Sequence, residues 1–87
     1  MQIEYSKKFV KKYKKCPNKI KTALKNRLKI FIKNQHDPTL NNHDLSGKYK
    51  NYKSINITSD WRAIYQEYNN GKIAYFIILG THSELYT

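Results

Sequence analysis

Three histidines are the residues of this 87-residue sequence best suited to acid–base chemistry, because histidine is the side chain that ordinarily titrates near neutral pH. They stand at His36, His43 and His82, and their spacing matches no metal-binding motif. Together with a carboxylate, a tyrosine and cations, two of them suggest metal-free cleavage of RNA, which needs a base for the 2′-hydroxyl, an acid for the 5′-oxygen and cations for the phosphate. His43 and His82 are candidates for the first two roles, and Arg62 or Lys53 for the third.

The charge of the chain points to a polyanionic partner. Lys and Arg number 17 against 6 Asp and Glu, for a net charge of +11. Residues 1–33 carry the whole excess, which suits diffuse contact with phosphates because nearly all of these cations are lysines. The candidates for docking on RNA lie in the second predicted helix: Lys21, Lys25, Arg27 and Lys29.

Composition also excludes several classes of protein. A chain this short forms one domain, and a single cysteine, Cys16, allows neither an internal disulfide nor a cysteine-based zinc site. The longest apolar run, residues 73–79, is too short to span a bilayer, and no secretory signal is visible. We therefore expect a cytoplasmic protein with no membrane partner, metal or cofactor.

The elements that must position the candidate residues follow from hydrophobic periodicity. Ser6 is a plausible N-cap, and apolar residues at helical spacing predict two helices, whereas alternating residues later in the chain predict strands. A short strand is predicted at 2–5, followed by a first helix that Ser6 caps and that runs to about residue 15, and by a second helix over 18–33. After a loop at 34–47, strands are predicted at 54–58, 61–68 and 72–79. Helices followed by an antiparallel sheet define an α+β domain of two layers.

One turn fixes a register in this sheet. Asn70-Gly71 favours a type I′ hairpin turn, because both central residues of that turn need positive φ. A turn centred there places Tyr68 opposite Ile73 and Arg62 opposite Leu79. The strand over 73–79 is apolar on both faces, which places it inside the sheet.

Four blocks of the sequence resemble a known family. The segment HDLSGKYKNYKSINITSDWRAIYQEY and the closing FIILGTHSELY contain, in order, an H-x-L-x-G block, a Tyr-containing strand, D-W-x-x-I-Y and G-T-H-x-x-L-Y. They resemble the YafQ branch of the RelE superfamily, the toxin subunits of bacterial type II toxin–antitoxin pairs. The matching blocks lie between His43 and Tyr86, and the two basic helices before them fit the family's layout.

The resemblance implies an mRNA interferase, an endoribonuclease that cuts message in the ribosomal A site. It implies one domain over residues 1–87, with two N-terminal helices packed on a curved antiparallel sheet, as in RelE and ParE toxins and in a microbial-RNase-like two-layer fold. The implied partners are mRNA, the ribosome and a cognate antitoxin that covers the catalytic groove with an acidic segment.

The same resemblance assigns roles to individual residues. These roles also have structural alternatives: His43, His82 and Asp60 could bond loop or turn backbone, and Trp61 and Tyr86 could simply pack. The implied catalytic residues are His82 as general acid, His43 as a second acid or base, Asp60 as base or histidine-orienting group, Arg62 on the phosphate and Tyr86 beside it; the implied substrate-binding residues are Trp61, Lys53 and Asn56.

Two positions depart from the family pattern. Asn56 stands where many members carry a histidine, and Ile78 where many carry an arginine. An asparagine cannot exchange a proton near pH 7, and the loss of an arginine removes a cation from the transition state. These departures keep open a non-catalytic nucleic-acid or antitoxin-binding module. A ParE-like toxin that inhibits gyrase is a further alternative, since that family shares the fold, but it lacks the histidine cluster and the presence of His43 and His82 speaks against it.

Overall fold

A computed structural model describes residues 1–86 as a single α+β fold. The helices lie early in the chain and most of the sheet lies late, as the periodicity predicts. The elements are β1 (Gln2–Tyr5), α1 (Lys7–Lys15), α2 (Asn18–Lys33), β2 (His43–Asp44), β3 (Lys53–Asn56), β4 (Trp61–Tyr68), β5 (Ile73–Thr81) and α3 (His82–Tyr86).

The five strands form one sheet in the order β1-β5-β4-β3-β2. The pairs from β5 to β2 are antiparallel, and the predicted fold class is confirmed. β1 differs from that expectation because it runs parallel to β5, with Gln2 opposite Ile73 and Tyr5 opposite Phe76. β5 is therefore flanked on both sides, as its two apolar faces predict.

Ser6 joins the first strand to the first helix. Its hydroxyl accepts a hydrogen bond from the Phe9 backbone N–H at 2.9 Å, which confirms the predicted N-cap. The same hydroxyl donates to the Ile77 carbonyl at 2.6 Å. The start of α1 is thus fixed directly to β5, alongside the half of that strand that β1 does not cover.

The core lies between the two long helices and one face of the sheet. Phe9, Leu24 and Phe31 reach it from the helices. The sheet supplies alternate residues, because side chains one position apart along a strand point to opposite faces: Ile55, Ala63, Tyr65, Ala74 and Phe76. Cys16 is buried at the edge of this core, as a small apolar residue would be.

The β4–β5 hairpin turns where the sequence predicts. Asn70 and Gly71 have φ of 57° and 79°, and Tyr68 faces Ile73. A bulge then displaces the register at Ile77, so that Ile64 pairs with Ile78 while the next residue of β4 pairs with Phe76. For this reason the predicted Arg62–Leu79 pair is wrong, and Arg62 lies opposite Gly80.

Three segments differ from the sequence-based expectation. The predicted loop over 34–47 contains a 3-10 turn at Pro38–Leu40 and the two-residue strand β2, which pairs His43 with Ser54. The strand predicted at 54–58 ends at Asn56. The tail after β5, where the periodicity predicts no element, folds as α3.

Candidate active site

An open cleft of about 370 Å³ brings together most of the predicted catalytic side chains. Arg62 alternates along β4 with the buried core residues, so it occupies the face of the sheet opposite α1 and α2. β2 and its preceding loop contribute a second side of the cleft, and α3 a third. The lining residues are Asn41, His43, Leu45, Arg62, His82 and Tyr86.

The short helix α3 carries two of these residues and is anchored at its start. Thr81 and Glu84 form a capping box: the Glu84 carboxylate accepts the Thr81 N–H at 2.9 Å, and the Thr81 hydroxyl accepts the Glu84 N–H at 3.3 Å. The His82 N–H donates to the Asp60 carbonyl at 2.8 Å. Two neighbouring turns therefore fix the backbone from which the His82 ring projects.

Gly80 allows this helix to fold back on the strand that precedes it. A Cβ atom at position 80 would lie 3.2 Å from the Leu85 side chain, and Leu85 is buried. A Cβ at this position would require the Leu85 side chain to give by a few tenths of an ångström. The smallness of Gly80, and not a special φ angle, is what the packing requires.

His82 and Tyr86 lie one turn apart on α3 and contact each other. Their ring centroids are 4.7 Å apart with an interplanar angle of 53°. The Tyr86 hydroxyl is buried without a hydrogen-bond partner among residues 1–86, a costly arrangement for a polar group.

His43 is oriented by the backbone just before it. Its Nδ1 lies 2.8 Å from the Asn41 carbonyl oxygen, and Asn41 has a left-handed φ of 46°. A carbonyl oxygen only accepts hydrogen bonds, so Nδ1 carries the proton in this contact. In the neutral ring, the Nε2 atom of His43 is then the one able to accept a proton.

Arg62 is held by main-chain carbonyls at the turn before β4. Its Nη1 donates to Thr58 at 3.0 Å and to Trp61 at 3.2 Å. Asn56 lies directly opposite on β3, and its Oδ1 is buried without a partner within residues 1–86. The side chain of Arg62 thus enters the cleft in a fixed position, with an unsatisfied amide beside it.

Two predicted substrate-binding residues lie elsewhere. Trp61 occupies the helix side of the sheet, packs against the core and lies 5.7 Å from the Lys12 ammonium, and it does not line this cleft. Its position follows from strand alternation, which puts it on the face opposite Arg62. Lys53 forms an ion pair with Asp44 and does not line the cleft.

Asp60 is exposed in the turn before β4, and its backbone carbonyl, rather than its carboxylate, is bonded to His82. His36 is also exposed and does not line the cleft, as its lack of any motif suggests. Ile78 lies on a neighbouring groove and not in the cleft.

The predicted docking row on α2 is mostly accessible. Lys25 and Lys29 are exposed, and Lys21 is half-buried with its ammonium 5.7 Å from the Tyr13 ring. Arg27 differs, because its Nε donates to the Ile57 carbonyl at 3.2 Å and joins α2 to the end of β3. Arg27 therefore has a structural contact that the charge pattern does not reveal.

Three residues were not predicted from the sequence: Asn41 and Leu45, which line the cleft, and Glu84, which caps α3. The T-x-x-E pattern over residues 81–84 is a recognisable capping-box signal and could have revealed both α3 and Glu84. Asn41 and Leu45 carried no such signal. Among residues 1–86 no cluster of three His, Cys, Asp or Glu side chains is placed to hold a metal ion, and no described helix is long and apolar enough to cross a membrane.

Glu84 is expected to make the contribution of α3 to the free energy of unfolding dependent on pH. Bonds from Lys12 and Thr81 lower the pKa of its carboxyl from 4.5 to about 2. Because the folded-state pKa is the lower one, this stabilisation is complete above pH 4.5 and is lost as pH falls towards 2. In Glu84→Gln, the deficit in unfolding free energy relative to the wild type should therefore shrink across that range, as measured by urea denaturation.

Glu4→Gln provides the matched control, since it removes an exposed carboxylate from β1 with the same change of net charge. If the deficit of Glu84→Gln is the same at pH 2 and at pH 6, the carboxylate does not stabilise α3 in this way.

Fold and cleft together define a class: a small, strongly basic α+β protein with two histidines, an arginine and a tyrosine in one open cleft. Such a set is suited to acid–base chemistry on a phosphodiester. Along residues 1–87 the sequence matches the family described as the bacterial toxin of type II toxin–antitoxin system, YafQ, and the chain belongs to that family. The resemblance seen in the sequence is confirmed.

Solved structures agree with this assignment. YafQ from E. coli strain BL21(DE3) is 27% identical, with a TM-score of 0.81 over 99% of this chain and 98% of that one. The E. coli DinJ-YafQ toxin–antitoxin complex matches at 28% identity and a TM-score of 0.78, over 99% and 97% of the two chains. A YoeB/ParE toxin from Agrobacterium tumefaciens, at 15% identity and a TM-score of 0.78 over 94% and 99%, shares the fold. A search of curated protein sequences finds no match.

Proposed function

We propose that this toxin is a metal-independent endoribonuclease that cuts mRNA on the ribosome, at the A site, and so stops translation. The observation that carries the proposal is the cleft in which His43, Arg62, His82 and Tyr86 meet, on a chain with a net charge of +11. Two histidines supply an acid and a base, and the positive charge supplies affinity for a polyanion.

The hydrogen bond at His43 supports one division of the two roles. Since its Nδ1–H is held by the Asn41 carbonyl, Nε2 of His43 accepts the proton of the 2′-hydroxyl. The 2′-oxygen then bonds to phosphorus, and the bond to the 5′-oxygen breaks as His82 donates a proton to that oxygen. The products are a 2′,3′-cyclic phosphate and a 5′-hydroxyl.

Arg62 and Tyr86 are the groups that would stabilise the phosphorane. Arg62 is fixed by two carbonyls and presents a delocalised positive charge to the cleft. The Tyr86 hydroxyl has no partner among residues 1–86 and can donate to a phosphate oxygen. We assign Asn56 a supporting contact beside Arg62, and Asp60 the positioning of His82 through its turn.

The partners follow from the family and from charge. DinJ binds YafQ in the solved E. coli complex, and we infer a cognate antitoxin for this chain as well, with an acidic segment that covers the cleft. We assign the exposed lysines of α2, Lys25 and Lys29 with Lys21, to docking on ribosomal RNA. Many lysine–phosphate contacts would make ribosome binding steeply dependent on salt.

The test is expression of the chain in bacteria, with the 5′ ends of transcripts mapped after induction. We expect growth arrest and new cuts inside translated reading frames, absent from a matched message that lacks its start codon. Arrest without cuts, accompanied by loss of gyrase supercoiling, would support the ParE-like alternative. Well-expressed folded protein with neither arrest nor cuts would support the non-catalytic module, with Asn56 and Ile78 as the first positions to restore.

A further inference from the structure

A second groove adjoins the cleft on the side of α1. Its volume is about 410 Å³, and the strand residues Ile78 and Leu79 give it an apolar floor. Four lysines of α1 line it, together with the aromatic ring of Tyr49: Lys8, Lys11, Lys12 and Lys15. We call it the α1 groove.

The α1 groove carries an uncompensated positive charge. Its only acidic lining residue is Glu84, which is already paired with Lys12 at 2.7 Å. Lys8, Lys11 and Lys15 have no ion-pair or hydrogen-bond partner through their side chains within residues 1–86. These lysines are three and four residues apart on the helix, a spacing at which like charges repel. A polyanion in the groove would relieve that repulsion.

Aromatic contacts connect the α1 groove to the cleft. The ring of Tyr49, from the groove, lies 6.0 Å from the ring of Tyr86, from the cleft, at an angle of 89°. The Tyr52 ring lies 6.3 Å from the Tyr49 ring but lines a third pocket, and the Lys48 ammonium lies 5.2 Å from the Tyr49 ring. A row of ring contacts, from His82 and Tyr86 of the cleft to Tyr49 of the α1 groove, therefore joins the two sites.

We propose that the α1 groove binds the single-stranded RNA that continues from the scissile phosphate. Its lysines contact the backbone phosphates, and Tyr49 stacks on a base next to the cleavage position. The inference rests on the proposed function and deepens it, because it says how the substrate is held beside the cleft. RNA fits better than an acidic polypeptide, since only RNA offers both repeating phosphates and planar rings for this row of aromatic side chains.

The lysines are tested by the binding of a short single-stranded RNA that carries 2′-O-methyl groups and so cannot be cut. In Lys8→Gln/Lys11→Gln/Lys15→Gln the affinity at low salt should fall about tenfold or more, and the slope of log K against log salt should fall by about 2. The matched control is Lys19→Gln/Lys33→Gln/Lys72→Gln, which removes the same charge from exposed positions away from both sites. It should change affinity and slope much less.

Tyr49 is tested with a pair of substitutions. Tyr49→Leu should weaken binding of the same RNA roughly five- to a hundredfold, because a stacking surface is lost. Tyr49→Trp should restore most of the affinity, which a purely structural role of Tyr49 against Tyr86 would not require. Thermal melting of each variant establishes that the comparison is made between folded proteins.

Several outcomes would overturn the inference. Equal losses of RNA affinity in the two triple-lysine variants would mean diffuse charge attraction. The absence of RNA binding by the wild type would mean that the α1 groove is not an RNA site. If the α1 triple variant lost affinity for a polyglutamate peptide while its RNA affinity stayed unchanged, the groove would be assigned to an acidic protein.

Failure of this inference is distinguishable from failure of the proposed function. If the wild type cuts message but the α1 triple behaves like its control, only the inference fails. If the wild type binds RNA through the α1 groove yet cuts nothing, only the proposed function fails.

Discussion

Replacing His82 with alanine is expected to lower cleavage of translated message by about 10²- to 10⁴-fold, the usual contribution of a positioned acid or base. The His82 side chain is exposed, and the one hydrogen bond that the residue makes to Asp60 comes from its backbone N–H, which alanine keeps. The folded state should therefore be almost unaffected. The measurements are the rate of message cleavage in a reconstituted translation reaction and the melting temperature.

Ser83→Ala is the matched control for this prediction, because Ser83 is exposed on the same short helix and does not line the cleft. It should retain the wild-type rate. If His82→Ala cuts as fast as Ser83→Ala, His82 is not the acid. If His82→Ala still arrests growth without cutting, toxicity does not depend on the cleavage proposed for this cleft.

The largest expected effect on stability belongs to Phe76→Ala. Phe76 is completely buried on β5, with ring centroids of three buried aromatic residues 5.0 to 5.8 Å away: Tyr65, Phe31 and Phe9. Alanine removes this central ring and leaves a cavity that both helices and the sheet surround. The expected loss is about 3–5 kcal/mol, which is a large part of the 5–15 kcal/mol typical of a whole domain.

Urea unfolding followed by circular dichroism measures this loss. Phe76→Leu should cost clearly less, because leucine fills part of the cavity. Tyr68→Ala removes an aromatic ring from the neighbouring strand at a position that is 45% exposed, and it should cost least. If Phe76→Ala and Tyr68→Ala have equal costs, the aromatic cluster is not the centre of the core.

Local signals in the sequence determine much of this fold. Ser6, Pro17 and the helical spacing of apolar residues predict both long helices, and Asn70-Gly71 predicts the turn and the first pairs of its hairpin. These features depend on residues that are close together in the chain. They need no knowledge of the tertiary structure.

What could not be predicted depends on distant contacts. The bulge at Ile77 moves Arg62 from Leu79 to Gly80, and no residue type at that position indicates it. The parallel pairing of β1 likewise joins residues far apart in sequence. Within the site, the four lining residues His43, Arg62, His82 and Tyr86 could be named in advance. Residue chemistry suggested acid, base and cation roles for the first three, and only the resemblance supplied a role for Tyr86.

Trp61 shows that a resemblance does not by itself fix where a side chain lies. The D-W pair matches the family pattern, yet strand alternation places the indole against the core. A motif position can serve packing as readily as chemistry. The adjacent Arg62, one residue later, faces the cleft for the same geometric reason.

The parallel pairing of β1 with β5 has a consequence for how the toxin comes into being. Residues 2–5 have no sheet partner until residues 73–76 have been synthesised, and closing so long a loop costs more entropy than forming the β4–β5 hairpin. The cleft needs the same late strand, because α3 follows directly from β5. A chain still under synthesis therefore has neither a complete sheet nor a complete cleft. The cell that makes this protein encounters the assembled site only after β5 and α3 have been synthesised and have folded.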